Sequence, residues 1–292
     1  MKKKTIRGQI ILTAVFVILS ILVVLPFVLI VSVSLSNERD VVYNGYQLLP
    51  RQIDLSAYRY IFKNPGSILN AYKVTAIFSV VTMGLSVLLM SMIAYPLACG
   101  HMRGKRGISF YLYFTMLFSG GLVPTYILIT QYLHLDDTIW VYILPGLISP
   151  WYVFMIRTFF QGLPYEIYES AVIDGANEYR IFAQMILPLS KPVLATVALF
   201  MFLNQWNNWY TSMLYINKDS LCSLQYLLQR IMQNIELLQE TENNGIMLKT
   251  SEIPSETVRM AMAVVVAGPA LLVFPFFQKY FVKGLTVGSV KG

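Results

Sequence analysis

Three stretches of the chain hold residues whose types and spacing could do chemistry. Ser119 stands directly before Gly120 and Gly121, which would suit a nucleophile beside backbone N–H donors if a base lay within hydrogen-bond reach. Gln205, Trp206, Asn207, Asn208, Trp209 and Tyr210 follow Asn204 and interleave amides with aromatic rings. That mixture suits polyhydroxylated ligands, since amides bind hydroxyls bidentately and flat faces cover the apolar side of a ring. Glu166, Glu169, Asp174 and Glu178 bring four carboxylates into one short stretch. No base is at hand for Ser119: the only histidines, His101 and His134, fall near opposite faces of the membrane that the apolar windows imply, far from the middle depth expected of Ser119. No H-E-x-x-H, aspartate pair within an apolar window or phosphate-cradling glycine loop occurs, so neither a catalytic residue nor a metal site is expected in the chain.

The elements that must position these residues are apolar. Of 292 residues, 56% are hydrophobic and 13% charged, against roughly 25% charged in a soluble domain. Uncharged windows of 30, 29, 29, 19, 26 and 19 residues lie between Arg7 and Glu38, Lys73 and Arg103, Arg106 and Asp136, Asp137 and Arg157, Lys191 and Lys218, and Arg259 and Lys279. About 20 apolar residues in a helix cross a bilayer, whereas a barrel strand needs about half that and a two-residue alternation absent here. The expected fold is an all-α polytopic membrane protein with six transmembrane helices at about 9–35, 70–100, 107–133, 138–156, 190–216 and 260–282. The first window is too long for a signal-peptide core and reads as an uncleaved span. With no internal repeat, residues 1–292 form one membrane domain.

Lysine and arginine density orients it. With the N-terminus inside, the inner segments carry 13 basic and four acidic residues and the outer segments nine and 11, which places both termini in the cytoplasm. The net charge of +7 is thereby explained by topology, and no nucleic-acid partner is expected. Cys99 and Cys222 fall toward opposite faces, so no disulfide is expected.

None of the six windows contains Asp or Glu, which speaks against ion-coupled secondary transport, the alternative for a membrane chain of this kind. Gly120, Gly121, Pro124, Pro145, Gly146 and Pro150 interrupt two spans and read as kinks or as a broken-helix site. The amide and aromatic cluster on the fifth span reads equally as a sugar contact or as an interfacial belt whose amides join helices. Two outer loops, 36–69 and 217–259, and one inner segment, 157–189, are long. In the second outer loop Leu224, Leu227, Leu228, Ile231 and Met232 have helical spacing, for a helix on the membrane surface, on a partner, or packed on neighbouring spans.

The inner segment carries the four acids. Pro164 suits a first helical turn and Glu166 the positive end of the helix dipole, predicting a helix over about 164–174. Gly175 fits a C′ position of positive φ, and Asn177 fits the N-cap of a second helix running to Pro188. Leu163, Ile167 and Ala171 share a face of the first helix, with Ser170 and Asp174 beside them, which reads either as a surface for a partner's cleft or as an amphipathic connector.

Here the sequence resembles a known family. Glu169-Ser170-Ala171, then Gly175-Ala176, then Ile186-Leu187-Pro188 is similar to the EAA loop of bacterial ABC-importer permeases, with Ser170 for the first alanine and Met185 at the isoleucine position. The stretch Pro275-Phe276-Phe277-Gln278-Lys279-Tyr280-Phe281-Val282-Lys283-Gly284 and the tail Gly288 to Gly292 resemble maltose-type carbohydrate permeases, second six-span subunit. Met116 to Tyr126 resembles the LplC/YtcP-like subgroup, associated with uptake of oligosaccharides from complex polysaccharides.

The resemblance implies that Glu169, Ser170, Ala171, Asp174, Gly175 and Ala176 couple to a cytoplasmic ATPase. Glu169 would pair with a basic residue of that ATPase. It further implies a second permease subunit in a heterodimer, two ATP-binding subunits that use ATP and Mg, an extracytoplasmic sugar-binding protein, an oligosaccharide substrate and a place in the bacterial cytoplasmic membrane. Gln205 to Tyr210 would border the substrate pathway.

Overall fold

The computed structural model describes residues 2–99, 102–243 and 254–288, so His101 and the tail 289–292 lie outside the described residues. Among the described residues there is no strand, only an isolated antiparallel bridge between Ser36 and Ile53. The helices in chain order are α1 Lys2–Ser34, α2 Glu38–Asn44, α3 Ser56–Ile61, α4 Pro65–Ala98, α5 Lys105–Leu117, α6 Leu122–Ile127, α7 Trp140–Ile143, α8 Pro150–Gln161, α9 Tyr165–Ile173, α10 Glu178–Ile181, α11 Leu187–Leu189, α12 Lys191–Trp206, α13 Tyr210–Tyr215, α14 Leu224–Asn243 and α15 Ser255–Gly288.

Three helical segments are long and apolar enough to cross a membrane unaided: Gly8–Ser34, Pro65–Ala98 and Ser255–Gln278. Three more candidates are bent pairs: the first two stand where single helices were predicted over 107–133 and 138–156, and the third bends at the expected boundary between the helix ending at Pro188 and the span 190–216, which itself divides into α12 and α13. Lys105–Leu117 meets Leu122–Tyr132 at 112°, Trp140–Gly146 meets Pro150–Gln161 at 50°, and Glu178–Leu189 meets Lys191–Trp206 at 78°. Each bend has a local cause. Gly121 takes φ +85°, which only glycine adopts without strain. Ser149 is extended before Pro150, and Pro150 and Pro192 open α8 and α12 at positions where a missing N–H costs nothing. The glycines and prolines expected to kink the third and fourth spans therefore break them outright.

The chain divides into two compact units, Met1–Ile68 with Leu228–Pro269, and Leu69–Leu227 with Ala270–Gly292. In the first, none of the most apolar window of α1 is buried within the chain. The Glu38 carboxylate holds the start of α15 there, accepting from the backbone N–H groups of Glu256 and Thr257 at 2.9 Å each and from the Thr257 hydroxyl at 2.7 Å. An anion at a helix N-terminus satisfies donors that the helix itself leaves unpaired.

The second unit carries two cores. Met90, Ala94, Tyr95 and Leu97 of α4 pack with Val153, Ile156 and Phe160 of α8, Ala171 of α9, Ile181 of α10 and Val193, Val197 and Met201 of α12. A second cluster joins Phe78 to Tyr142, whose rings stack with centroids 4.2 Å apart, and to Ile129, Val141, Tyr215 and Ile216. The helix expected in the second outer loop is α14, which begins in this unit with buried Leu224 and continues in the first unit with buried Leu228 and Ile235. Cys99 and Cys222 are thiols not joined in a disulfide.

Candidate functional site

The acidic segment folds as two helices around a glycine. Pro164 is the N-cap of α9, and Asp174 its C-cap. Gly175 follows at φ +75°. The Ala176 N–H donates to the Ala171 carbonyl and the Gly175 N–H to the Val172 carbonyl, both at 3.0 Å, the paired bonds of a Schellman ending. A Cβ on Gly175 would meet nothing within 4 Å, so conformation and not space demands glycine. Asn177 then caps α10, its Oδ1 accepting from the Arg180 N–H at 2.9 Å.

Ala171 is 1% exposed and packs in the core, with Leu163 and Ala176 against the same cluster. The face expected to meet a partner's cleft therefore points inward. The outward face carries Glu169, Ser170, Val172 and Ile173, the last 80% exposed. The Ser170 hydroxyl donates to the Glu166 carbonyl at 2.7 Å, a bond internal to the helix that alanine would simply omit. Asp174 and Gly175 are also exposed.

One acid of the segment does face the interior helices. The Glu178 carboxylate accepts the Tyr95 hydroxyl of α4 through Oε2 and the Tyr168 hydroxyl of α9 through Oε1, the latter at 2.7 Å. The hydrogen bond to Glu178, with burial second, pushes the Tyr168 phenol up to about 12. Tyr95, Tyr168, Glu178, Tyr179 and Phe182 line a cleft of about 430 Å³ at the end of α4.

Gln205 to Tyr210 come together where α12 ends and α13 begins, and most of their amides serve the backbone. Gln205 is buried, with its Oε1 accepting from Asn208 Nδ2 at 3.1 Å. Asn208 Oδ1 in turn accepts from the Thr211 N–H at 3.1 Å and so caps the next helix. Asn207 Nδ2 donates to the Leu203 carbonyl, and its Oδ1 accepts from Gln225 Nε2, both at 2.9 Å. Trp206 is 4% exposed against Phe202 and Tyr72, leaving the edge-on pair Trp209 and Tyr210 as the open aromatic surface.

Ser119 lies in the break between α5 and α6, its Oγ accepting from the Gly121 N–H at 3.2 Å. Asp137 Oδ1 accepts from the backbone N–H groups of Asn217 and Lys218, which tie the α6 to α7 connection to the end of α13 and hold its carboxyl below the usual carboxylate range.

A model of the family described as binding-protein-dependent transport system inner membrane component matches residues 5–287. The chain belongs to this family. Among its relatives, protein LplC of Bacillus subtilis (strain 168) is 38% identical over 270 residues, covering 92% of this chain and 90% of that protein. The polygalacturonan/rhamnogalacturonan transport system permease protein YtcP of the same organism is 38% identical over 273 residues, 94% of each. The arabinooligosaccharides transport system permease protein AraQ of Halalkalibacterium halodurans is 32% identical over 286 residues, 96% of each. A solved bacterial ABC transporter involved in the import of the acidic polysaccharide alginate has a chain that superposes with a TM-score of 0.78 at 26% identity, covering 96% of this chain and 98% of that one.

An inner membrane component of such a system is a transport subunit and not an enzyme, and it works with other subunits. The ion-coupled alternative is not favoured.

Sequence reasoning missed two features of this transport component. The link of Tyr95 and Tyr168 through Glu178 joins residues 83 positions apart, and no local pattern marks it. Ser79, Thr82 and Ser86 on α4 are buried hydroxyls without a hydrogen-bond partner, on one helical face with Thr75, whose Oγ1 accepts from the Leu224 N–H at 2.9 Å. Their spacing along an otherwise apolar helix was the available signal.

Proposed function

We propose that this chain is one permease subunit of an ATP-driven ABC importer that carries oligosaccharides released from complex polysaccharides. The observation that carries the proposal is the α9–Gly175–α10 unit: a short helix closed by a glycine at φ +75°, with Glu169, Val172 and Ile173 facing outward, in a member of this transport family. The substrate class rests on relatives whose names specify polygalacturonan and rhamnogalacturonan or arabinooligosaccharides.

In this reading the six spans of a single permease domain over 1–292 are the three long helices, the bent pairs Lys105–Leu117 with Leu122–Tyr132 and Trp140–Gly146 with Pro150–Gln161, and the segment that begins with Lys191–Trp206. An α1 with no buried surface in its apolar window fits a bilayer or another subunit far better than water. Both termini and the loop 157–189 face the cytoplasm. Glu169, Ser170, Ala171, Asp174, Gly175 and Ala176 form the coupling element, with Glu169 on the docking face and Ala171 anchoring it from behind. The partners are a second, different permease subunit, two ATP-binding subunits that hold ATP and Mg, and an extracytoplasmic sugar-binding protein.

Of the residues from Gln205 to Tyr210, Trp209 and Tyr210 are the ones suited to touch sugar. Gln205, Trp206, Asn207 and Asn208 shape the break that presents them. Affinity purification of the tagged chain from its native host tests the assembly. Recovery of an ATPase, a second permease and a binding protein, with ATP hydrolysis stimulated by oligosaccharide, is expected. A chain that purifies without an ATPase and transports sugar without ATP would contradict the proposal.

A further inference from the structure

We propose that Glu178 is a positioning residue that locks the coupling helix α9 to the membrane helix α4, through the Tyr168 and Tyr95 hydroxyls held on its two carboxylate oxygens. The inference rests on α9 being the coupling element. Apolar packing alone already joins these elements: Ala171, Tyr168, Ala176 and Phe182 lie against the cluster that contains Met90, Ala94 and Tyr95. Such packing is non-directional, and a smooth apolar face lets a helix slide when pushed. Two hydrogen bonds to one carboxylate are directional and fix the register of both phenols with respect to one point.

That point is itself held. Glu178 sits in the first turn of α10, where the helix dipole favours a carboxylate, and Asn177 caps the same turn. The Phe182 ring, one turn further, lies with its centroid 5.2 Å from that of Tyr95 and adds lateral packing. A push on α9 therefore reaches α4 through Tyr168, Glu178 and Tyr95 rather than being absorbed at the Schellman turn. The carboxylate is exposed along one side of the cleft, so the link is open to solvent and depends on the charge-assisted bonds for its strength.

The test uses the complete transporter reconstituted in liposomes, with oligosaccharide-loaded binding protein outside and ATP inside. Tyr95→Phe, Tyr168→Phe, the double variant and Glu178→Gln are compared with wild type for assembly, basal ATP hydrolysis and sugar imported per ATP hydrolysed. Loss of one charge-assisted bond is expected to lower sugar imported per ATP about tenfold. Assembly and basal hydrolysis should stay unchanged, and the double variant should be little worse than either single one. Glu178→Gln, which keeps one acceptor oxygen, is expected to fall between wild type and the double variant.

A merely structural role would lower assembly and both activities together, which would overturn the proposal. So would unchanged sugar per ATP in Tyr95→Phe and Tyr168→Phe. Gly175→Asp, measured alongside, separates the two levels: if it uncouples while the tyrosine variants do not, the coupling assignment stands and the lock fails. If Gly175→Asp also transports normally, the assignment itself fails.

Discussion

The Ala176 N–H donates to the Ala171 carbonyl at 3.0 Å, closing α9 over Gly175 and turning Ala171 into the core of the membrane unit. The bond helps set which side of the helix faces outward. Ala171 is 1% exposed, whereas Glu169, Ser170, Val172 and Ile173 face away from the chain. Ala171 thus packs in the cluster that holds residues of α4 and α8, and Glu169 lies on the outward side.

Substitutions on the two sides of α9 should therefore separate. Ala171→Leu overpacks a closed site and is expected to destabilise the subunit by about 1–3 kcal/mol. Ile173→Glu leaves an exposed position and is expected to keep stability while weakening association with the ATPase. Thermal unfolding in detergent and co-purification, measured on the same preparations, read the two effects apart.

Gly146 and Gln205 are in a similarly tight relation. A Cβ on Gly146 would stand 2.7 Å from Gln205 Nε2. Gly146→Ala is expected to cost about 1–3 kcal/mol. Much of that loss should return in Gly146→Ala with Gln205→Ala, because removal of the amide opens the space. A double-mutant cycle on unfolding temperature checks the coupling.

The aromatic residues at the end of α12 should divide by burial. Trp206→Ala empties a packed site and is expected to destabilise by about 3–5 kcal/mol, with uptake falling for every sugar alike. Trp209→Ala and Tyr210→Ala should leave stability near wild type and change preference among oligosaccharides. Uptake over a panel of linkages and chain lengths, alongside thermal unfolding, distinguishes them.

Asp137 carries a pH dependence. The backbone N–H groups of Asn217 and then Lys218 hold its carboxyl below the usual range, so its contribution to stability is present above the unfolded value of about 3.9 and lost as pH falls through the lower folded value. Unfolding temperature should drop less between neutral and strongly acidic pH in Asp137→Asn than in wild type.

The helical membrane class was legible because charge is excluded from long windows, and the Gly175 turn because an αL position leaves a local mark in sequence. The places of the breaks near Gly121 and Pro150 were also marked by glycine and proline, but the sizes of the bends, 112° and 50°, were not, since the same residues accompany a mild kink and a full break. The direction in which Ala171 points was also hidden, because α9 shows apolar residues on both faces: Ile167 and Ala171 inward, Val172 and Ile173 outward. At the end of α12 the amide types were visible, but their local bonds to Leu203 and Thr211 depend on where the helix breaks, and the bond to Gln225, 18 positions on, has no local mark. Glu178 belonged to the visible acidic cluster, yet its tyrosine partners lie on two other helices.

The most direct measurement of the coupling assignment is oligosaccharide-stimulated ATP hydrolysis by the reconstituted transporter carrying Gly175→Asp. Aspartate tolerates the left-handed region better than most residues and its Cβ would meet nothing within 4 Å at this exposed turn, so the subunit should insert and assemble. The added carboxylate lies on the exposed turn of α9. Loss of both stimulated hydrolysis and uptake, with normal insertion, is the predicted result; wild-type stimulation and uptake at wild-type expression would contradict it.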